Sequence, residues 1–251
     1  MGGALGLVRR LAERWLPDAA YRTIVDIEHL IRPPGFLQRT YSQEGEELII
    51  RRFFQGHAPG FYVDVGTHEP RRFSNTHFLY RAGWRGVDID ANPECVARLA
   101  KERHRDVCVN VGVGPASAEL SYFMFDAWEL NTFDRDIAAQ REREGHPVRH
   151  TRQVPVRPLA DLLAETVPVG QAIDLLTIDV EGLDLAVLES NDWSRFVPRL
   201  VLVEIYEKAL RLMLDSPLAR FMLDRGYVPV AKTFNTLFFG DSKWIRDGRP
   251  A

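Results

Sequence analysis

Short, almost unbroken apolar runs alternating with helix-spaced segments constrain this chain more than any other feature. Residues 61–65, 86–90, 173–179 and 200–205 are such runs, and 106–111 and 119–125 follow the same habit more weakly. Apolar spacing and end signals between them predict helices over 75–82, 93–104, 157–165, 183–190 and 217–224. Pro93 stands in the first turn of one of these helices and Gly226 follows another. Strands without polar alternation are buried on both faces, and strand–helix alternation builds a parallel sheet covered by helices on either side. Residues 228–231 and 236–239 lie too close for an intervening helix. They must pair as a hairpin, which puts one antiparallel strand into an otherwise parallel α/β sheet.

The first forty residues follow a different rule. Leu7, Leu11, Trp15, Ile24, Ile27, Leu30 and Ile31 recur at helical spacing broken at Pro17. The pattern predicts two short amphipathic helices closed by Pro33-Pro34-Gly35, an N-terminal helical extension over 1–40. Capping of the core, contact between copies in a homo-oligomer and peripheral membrane attachment are the roles open to it. Residues 41–251 form the main domain, and 126–150, polar and carrying Arg141-Glu-Arg-Glu144, read as a surface insertion or lid within it.

Composition removes several classes of function. Lys plus Arg number 32 against 35 Asp plus Glu, a formal charge of −3, so no bulk field draws the chain to nucleic acid or an anionic membrane. Two cysteines, Cys95 and Cys108, are too few for a disulfide framework or a structural zinc site. No apolar run approaches the roughly 18 residues of a spanning helix. Arg9 and Arg10 follow the first apolar stretch rather than precede it, the reverse of a secretory signal, so a cytoplasmic location is expected.

In sheets of this kind ligands bind beyond the carboxyl ends of the strands. Asp64 and Gly66 close the first run and are followed by His68 and Pro70, while Asp90 closes the second. A dinucleotide site needs further glycines where His68 and Pro70 stand, so that a diphosphate can rest on the helix N-terminus. The arrangement suits a nucleoside with a cationic head instead: Asp64 facing an ammonium, Asp90 accepting from two ribose hydroxyls. S-adenosyl-L-methionine has that chemistry. Asn110 after the third run either reads the adenine edge or belongs to a plain turn. Asp179 and Glu181 flank the end of the most apolar run, with Glu204 at the tip of the next. Neighbouring buried acids raise one another's proton affinity, which makes one of them a candidate general base. With Glu204 they can instead hold a divalent cation such as magnesium, or they cap a helix. Trp128, in the insertion, is either a core anchor or a platform for a sugar face.

These residues together resemble the FkbM family of S-adenosylmethionine-dependent methyltransferases. The resemblance is carried by Tyr41-Ser-Gln-Glu-Gly-Glu-Glu47, Tyr62-Val-Asp-Val-Gly-Thr-His68, Arg72-Phe-Ser-Asn-Thr76, residues 86–93, Leu176-Thr-Ile-Asp-Val-Glu-Gly-Leu-Asp-Leu185 and Val203-Glu204. It implies a class I, Rossmann-like methyltransferase fold, a seven-stranded sheet whose last strand is antiparallel. It also implies O-methylation of a hydroxyl on a sugar, a glycan or a secondary metabolite. Asp64 and Gly66 then match the first cofactor motif, Asp90 matches the ribose-binding acid, and Gln43, Glu44, Ser74 and Asn75 resemble the lining of the cofactor's methionine end. Asp179 or Glu181 is expected to take the proton, His68 standing behind them as base, cofactor contact or structural residue, and Glu204 to orient substrate or metal. The rival readings are an NAD(P)-dependent oxidoreductase on a similar sheet and a non-catalytic nucleoside- or glycan-binding protein.

Overall fold

The computed structural model of the chain describes residues 16–17, 19–23, 38–205, 207 and 209–247. Two compact units divide it, 1–40 and 41–251. In the first, residues 19–23 are helical, following Pro17, whose carbonyl accepts from the Ala20 and Tyr21 amides at 2.9 and 3.0 Å. Most of the two amphipathic helices expected there, and the oligomer contact expected of them, lie outside the described residues.

The second unit runs β1 (Phe61–Val65), β2 (Arg85–Asp90), β3 (Val107–Asn110), β4 (Gly112–Val113), β5 (Ala118–Met124), β6 (His150–Arg157), β7 (Leu175–Ile178), β8 (Leu200–Glu204), β9 (Tyr227–Lys232) and β10 (Thr236–Asp241). Its helices are α1 (Glu46–Phe53), α2 (His77–Arg81), α3 (Pro93–Glu102), α4 (Arg135–Arg143), α5 (Leu159–Thr166), α6 (Asp184–Glu189), α7 (Leu210–Asp215), α8 (Pro217–Asp224) and α9 (Ser242–Arg246). Seven strands make one sheet in the order β3-β2-β1-β7-β8-β10-β9. Every pairing from β3 to β8 is parallel, and β10 runs antiparallel to both β8 and β9. This is the sheet, with its single reversed strand, that the sequence predicts.

Alternate residues of the strands build two cores, one on each face. Phe61, Val63 and Val65 of β1 join Val201 and Val203 of β8 beneath α5, α6 and α8. Tyr62 of β1 and Leu200 and Leu202 of β8 pack the opposite way against α1, α2 and Trp84. A strand buried on both sides has no polar face to show, which is why its sequence reads as an unbroken run.

Among the elements that escape the sequence reading, three are instructive. Helix α1 buries Ile50 and Phe53 but also Glu46 and Glu47, and two buried carboxylates blur its apolar stripe. The short α7 buries only Met213. Strand β6 exposes most of its length, with Val154 and Val156 its buried positions, and residue 157, expected to open a helix, is its last. It pairs antiparallel with β5 and parallel with β4 in a second, three-stranded sheet. Residues 126–149 are thus the connection of the β5–β6 hairpin. They hold a 3-10 turn, Trp128–Leu130, and α4, whose N-terminus is capped by the Asp134 carboxylate accepting from the Asp136 and Ile137 amides.

Candidate functional site

The tips of β1, β2 and β7 are stitched together by main chain. The Gly66 amide donates to Ile89 O at 2.8 Å and the Asp179 amide to Val65 O at 3.0 Å. Gly66 has φ 81°, and a Cβ on it would come within 1.8 Å of Asp179 O. Only glycine lets β1 end against β7 in this way.

Above this seam opens a cavity of about 360 Å³. It is lined by Gly66, Asp90 and Asp179 at the strand tips, by His68 and Phe73, and by Tyr122 with residues 128–133 of the insertion. Glu181, Glu204 and Gln43 complete it. His68, Phe73 and Glu181 have φ of 59°, 59° and 56°, and among the described residues they are the non-glycine positions in the left-handed region. Each such residue costs about 1–3 kcal/mol, and all three face this one cavity.

Asp90 is 8% exposed. Its Oδ2 accepts from the His68 amide at 2.9 Å and its Oδ1 from the Asn92 amide at 2.6 Å. Burial pushes its pKa up to about 6 against the pull of those two amides. Each oxygen keeps a second lone pair, which leaves the carboxylate able to accept from a ligand in the cavity. His68 sits between the rings of Phe73 and Trp128, with centroids at 6.3 and 6.4 Å. Burial holds its pKa below the ordinary histidine value, and its Nε2 is buried with no hydrogen-bond partner.

In the same cavity, carboxylate oxygens of Asp179, Glu181 and Glu204 lie within 4.8 Å of one another. The Asp179 side chain is exposed toward the cavity while protein crowds it on its other sides. That crowding, with the charges of Glu204, Glu181 and Asp64, drives its pKa well above the carboxylate range, and Glu204 lies close enough to share a proton with it. Glu181 Oε2 accepts from the Arg141 guanidinium of α4 at 2.6 Å. Asp184, 5% exposed, accepts from the Val180 and Gly182 amides and braces this turn; burial raises it to about 7.

Gln43, Gly66, His68, Asp90, Trp128, Asp179, Glu181 and Glu204 meet at the cavity as the sequence suggests. Five other candidates face elsewhere. Asp64 lies opposite Asp88 in the parallel register and accepts from the Thr76 hydroxyl at 2.6 Å. Ser74 Oγ accepts from Arg103 at 2.7 Å, and the same guanidinium donates to Asp88, Thr76 and Pro70 O. Ser74 directly, and Asp64 through Thr76, therefore belong to a buried network around Arg103, 1% exposed. Asn75 donates to the Thr177 hydroxyl at 3.2 Å. Glu44 accepts from the Asn235 amide at 2.9 Å, tying the segment before α1 to the β9–β10 turn. Asn110 donates to the carbonyls of Asp90 and Ala91 at 3.0 Å each, bracing the β2 tip rather than reading a base edge.

Sequence reasoning missed Arg103, Arg141, Tyr122 and the stretch 130–133. Arg103 follows α3 as one basic residue among several, and only a fully buried arginine marks itself. In residues 130–133, Asn131 Oδ1 accepts from the Phe125 amide at 2.8 Å and its amide lies beside the Tyr122 hydroxyl. An Asn-Thr-Phe stretch in a polar segment carries no periodic signal for that role.

Among solved structures, the chain is similar to an O-methyltransferase from Bacillus cereus in complex with SAH, at 10% identity and TM-score 0.39, covering 93% of this chain and 97% of that one. It is similar too to the O-methyltransferase TomG from Streptomyces achromogenes, involved in tomaymycin synthesis and in complex with SAM, at 14% identity and TM-score 0.42, covering 94% and 96%. TM-scores this low carry nothing across from those enzymes. The comparison with curated proteins returns no match. Residues 64–229, from the Asp64 of β1 to β9, match the family described as the methyltransferase FkbM domain. That span takes in both acids of the β2 and β7 tips, and the chain belongs to the FkbM methyltransferase family.

Proposed function

We propose that this protein transfers a methyl group from S-adenosyl-L-methionine to a hydroxyl of a small-molecule acceptor, a sugar, glycan or secondary metabolite. One observation carries the reading: a cavity of about 360 Å³ is lined both by the part-satisfied Asp90 carboxylate and by the Asp179–Glu204 pair. The residues present fit that cofactor. Asp90 has lone pairs left for vicinal hydroxyls, and the unpartnered His68 Nε2 is a polar atom awaiting a ligand in the cavity wall. Asp90 would hold the ribose, with Gly66 leaving the main chain open to close approach and Gln43 lining the same space.

When bound, the cofactor supplies an electrophilic methyl on a sulfonium, displaced in line so that the methyl–oxygen bond forms as the sulfur–methyl bond breaks. The chain's own contribution is position, exclusion of water and a proton acceptor. Trp128 and Phe73 wall the acceptor side with aromatic surface suited to a sugar face or a flat metabolite. The Asp179–Glu204 pair takes the hydroxyl proton. With one proton held between the two acids, the pair's ionised oxygen is the acceptor, and crowding with neighbouring charge makes it a stronger base than an isolated carboxylate. Asp179, Glu181 and Glu204 offer the hard oxygens a divalent cation prefers, but Arg141 already engages one oxygen of Glu181. Two separate free cysteines fit a cytoplasmic location.

The test is to incubate the protein with S-adenosylmethionine labelled in its methyl group and a panel of sugars, glycans and small alcohols, with and without chelator. Label should appear in an acid-stable ether product from wild type and not from Asp179→Asn. Cofactor binding without transfer to any acceptor would favour a binding protein instead.

A further inference from the structure

Arg141 has no part in the proposed methyl transfer, yet its guanidinium reaches into the acidic cluster. It sits in the last turn of α4, a helix fixed at its other end by the Asp134 cap. Its side chain is 12% exposed. One amino group donates to Leu130 O inside the insertion, and the other to Glu181 Oε2 at 2.6 Å. The first bond ties the guanidinium to the segment that walls the cavity. The second crosses to the β7 tip, where Glu181 is held at φ 56°. Left-handed backbone at a non-glycine residue persists only where surrounding contacts over-determine it, and this ion pair is such a contact. Glu181 in turn stands within 4.8 Å of Asp179 and Glu204.

We infer that Arg141 is a positioning residue. Its guanidinium serves as the built-in counter-cation of the Asp179–Glu181–Glu204 cluster, holding Glu181 in place and latching the 126–149 segment over the cavity where other proteins would use a divalent metal. The inference rests on the reading that methyl transfer occurs in this cavity. It has a consequence that a purely structural ion pair lacks. A fixed positive charge beside three carboxylates repels a second cation, so metal affinity is suppressed while the latch is closed and rises when it is removed.

The experiment uses Mn2+ as the probe, titrated by electron paramagnetic resonance into wild type, Arg141→Gln, Arg141→Lys and the double variant Arg141→Gln/Glu181→Gln. S-adenosylhomocysteine is titrated by calorimetry into the same four proteins. Wild type and Arg141→Lys should bind Mn2+ weakly and alike. Arg141→Gln should bind it roughly tenfold or more tightly, since an opposite charge at this range shifts proton affinity by about 1–3 logarithmic units. The double variant should lose that gain. Amide exchange over 135–143 should quicken in Arg141→Gln and not in Arg141→Lys. Tight Mn2+ binding by wild type, or equal affinity in wild type and Arg141→Gln, would overturn the inference. Failure of wild type to bind S-adenosylhomocysteine would instead overturn the functional reading, while the Mn2+ series still judges the arginine.

Discussion

Two groups of acids sit a few residues apart on neighbouring strand tips and share little but their charge. Asp64 and Asp88 lie side by side in the β1–β2 register, sealed from solvent, with Arg103 against Asp88 at 2.9 Å and Thr76 donating to Asp64. Asp179, Glu181 and Glu204 lie round the mouth of β7 and β8, open to a cavity, with Arg141 touching only one of them. Proton affinity is raised in both groups, by burial for Asp64, to about 6, and for Asp88, well above the carboxylate range, and by crowding and neighbouring acids for Asp179, also well above it. A perturbed pKa alone thus fails to tell machinery from scaffold. What separates them is whether a ligand can reach them. The Arg103 group is sealed inside the protein. The other group lines a cavity.

The comparison breaks most sharply at Asp179. Replacing it by Asn should lower methyl transfer by about 10²–10⁴-fold, the usual worth of a positioned base, with cofactor affinity held, as read by labelled-methyl kinetics beside calorimetry. Arg103→Leu should do the opposite. Stranding Asp64 and Asp88 without their counter-charge should cost about 3–5 kcal/mol of stability, read by denaturant unfolding. A folded, fully stable Arg103→Leu would mean the sealed group is not held by its arginine.

A smaller effect is expected at Asp90. Asp90→Asn removes a charged acceptor and should weaken S-adenosylhomocysteine by roughly tenfold, about 1.5 kcal/mol, whereas Asp64→Asn should leave that affinity nearly unchanged. Equal losses in the two variants would erase the distinction between the groups. The smallest effect is one of pH. With Asp90 at about 6 in the free protein, cofactor affinity should fall as pH drops through 6 and level off above it. Stability of the unliganded protein runs the other way. A carboxyl raised from 3.8 to about 6 on folding contributes its stability fully below 3.8 and loses it as pH rises through 6, and Asp64 adds to the same window. The thermal shift produced by ligand should therefore grow between pH 5 and pH 7 (an interval set by these two groups).

The sheet was legible because burial on both faces leaves unbroken apolar runs, and the rule that ligands gather at strand carboxyl ends picked out Gly66, Asp90 and Asp179, which line one cavity. Asp64 was misplaced for a reason of the same kind. An unbroken run does not reveal which face a given residue takes, and the partner that claims this side chain, the Thr76 hydroxyl, stands 12 positions away as one polar residue in a connecting segment. Glu44 and Ser74 were misassigned because their partners, Asn235 and Arg103, become neighbours only after folding. Strand β6 hid behind a polar exposed face with Val154 and Val156 as its buried signal. The insertion showed itself by polarity, but which of its residues turn inward depended on the short turn at 128–130, and the reach of Arg141 to Glu181 on a helix whose sequence reads as a solvated charged run.

The central claim is that the cavity at the β1, β2 and β7 tips holds the methyl donor with its ribose on Asp90. A crystal structure with S-adenosylhomocysteine tests it most directly. The two ribose hydroxyls are expected within hydrogen-bond distance of the Asp90 carboxylate, with the sulfur toward Asp179. A nucleoside bound outside this cavity, or a ribose held by Asp64, would contradict the account.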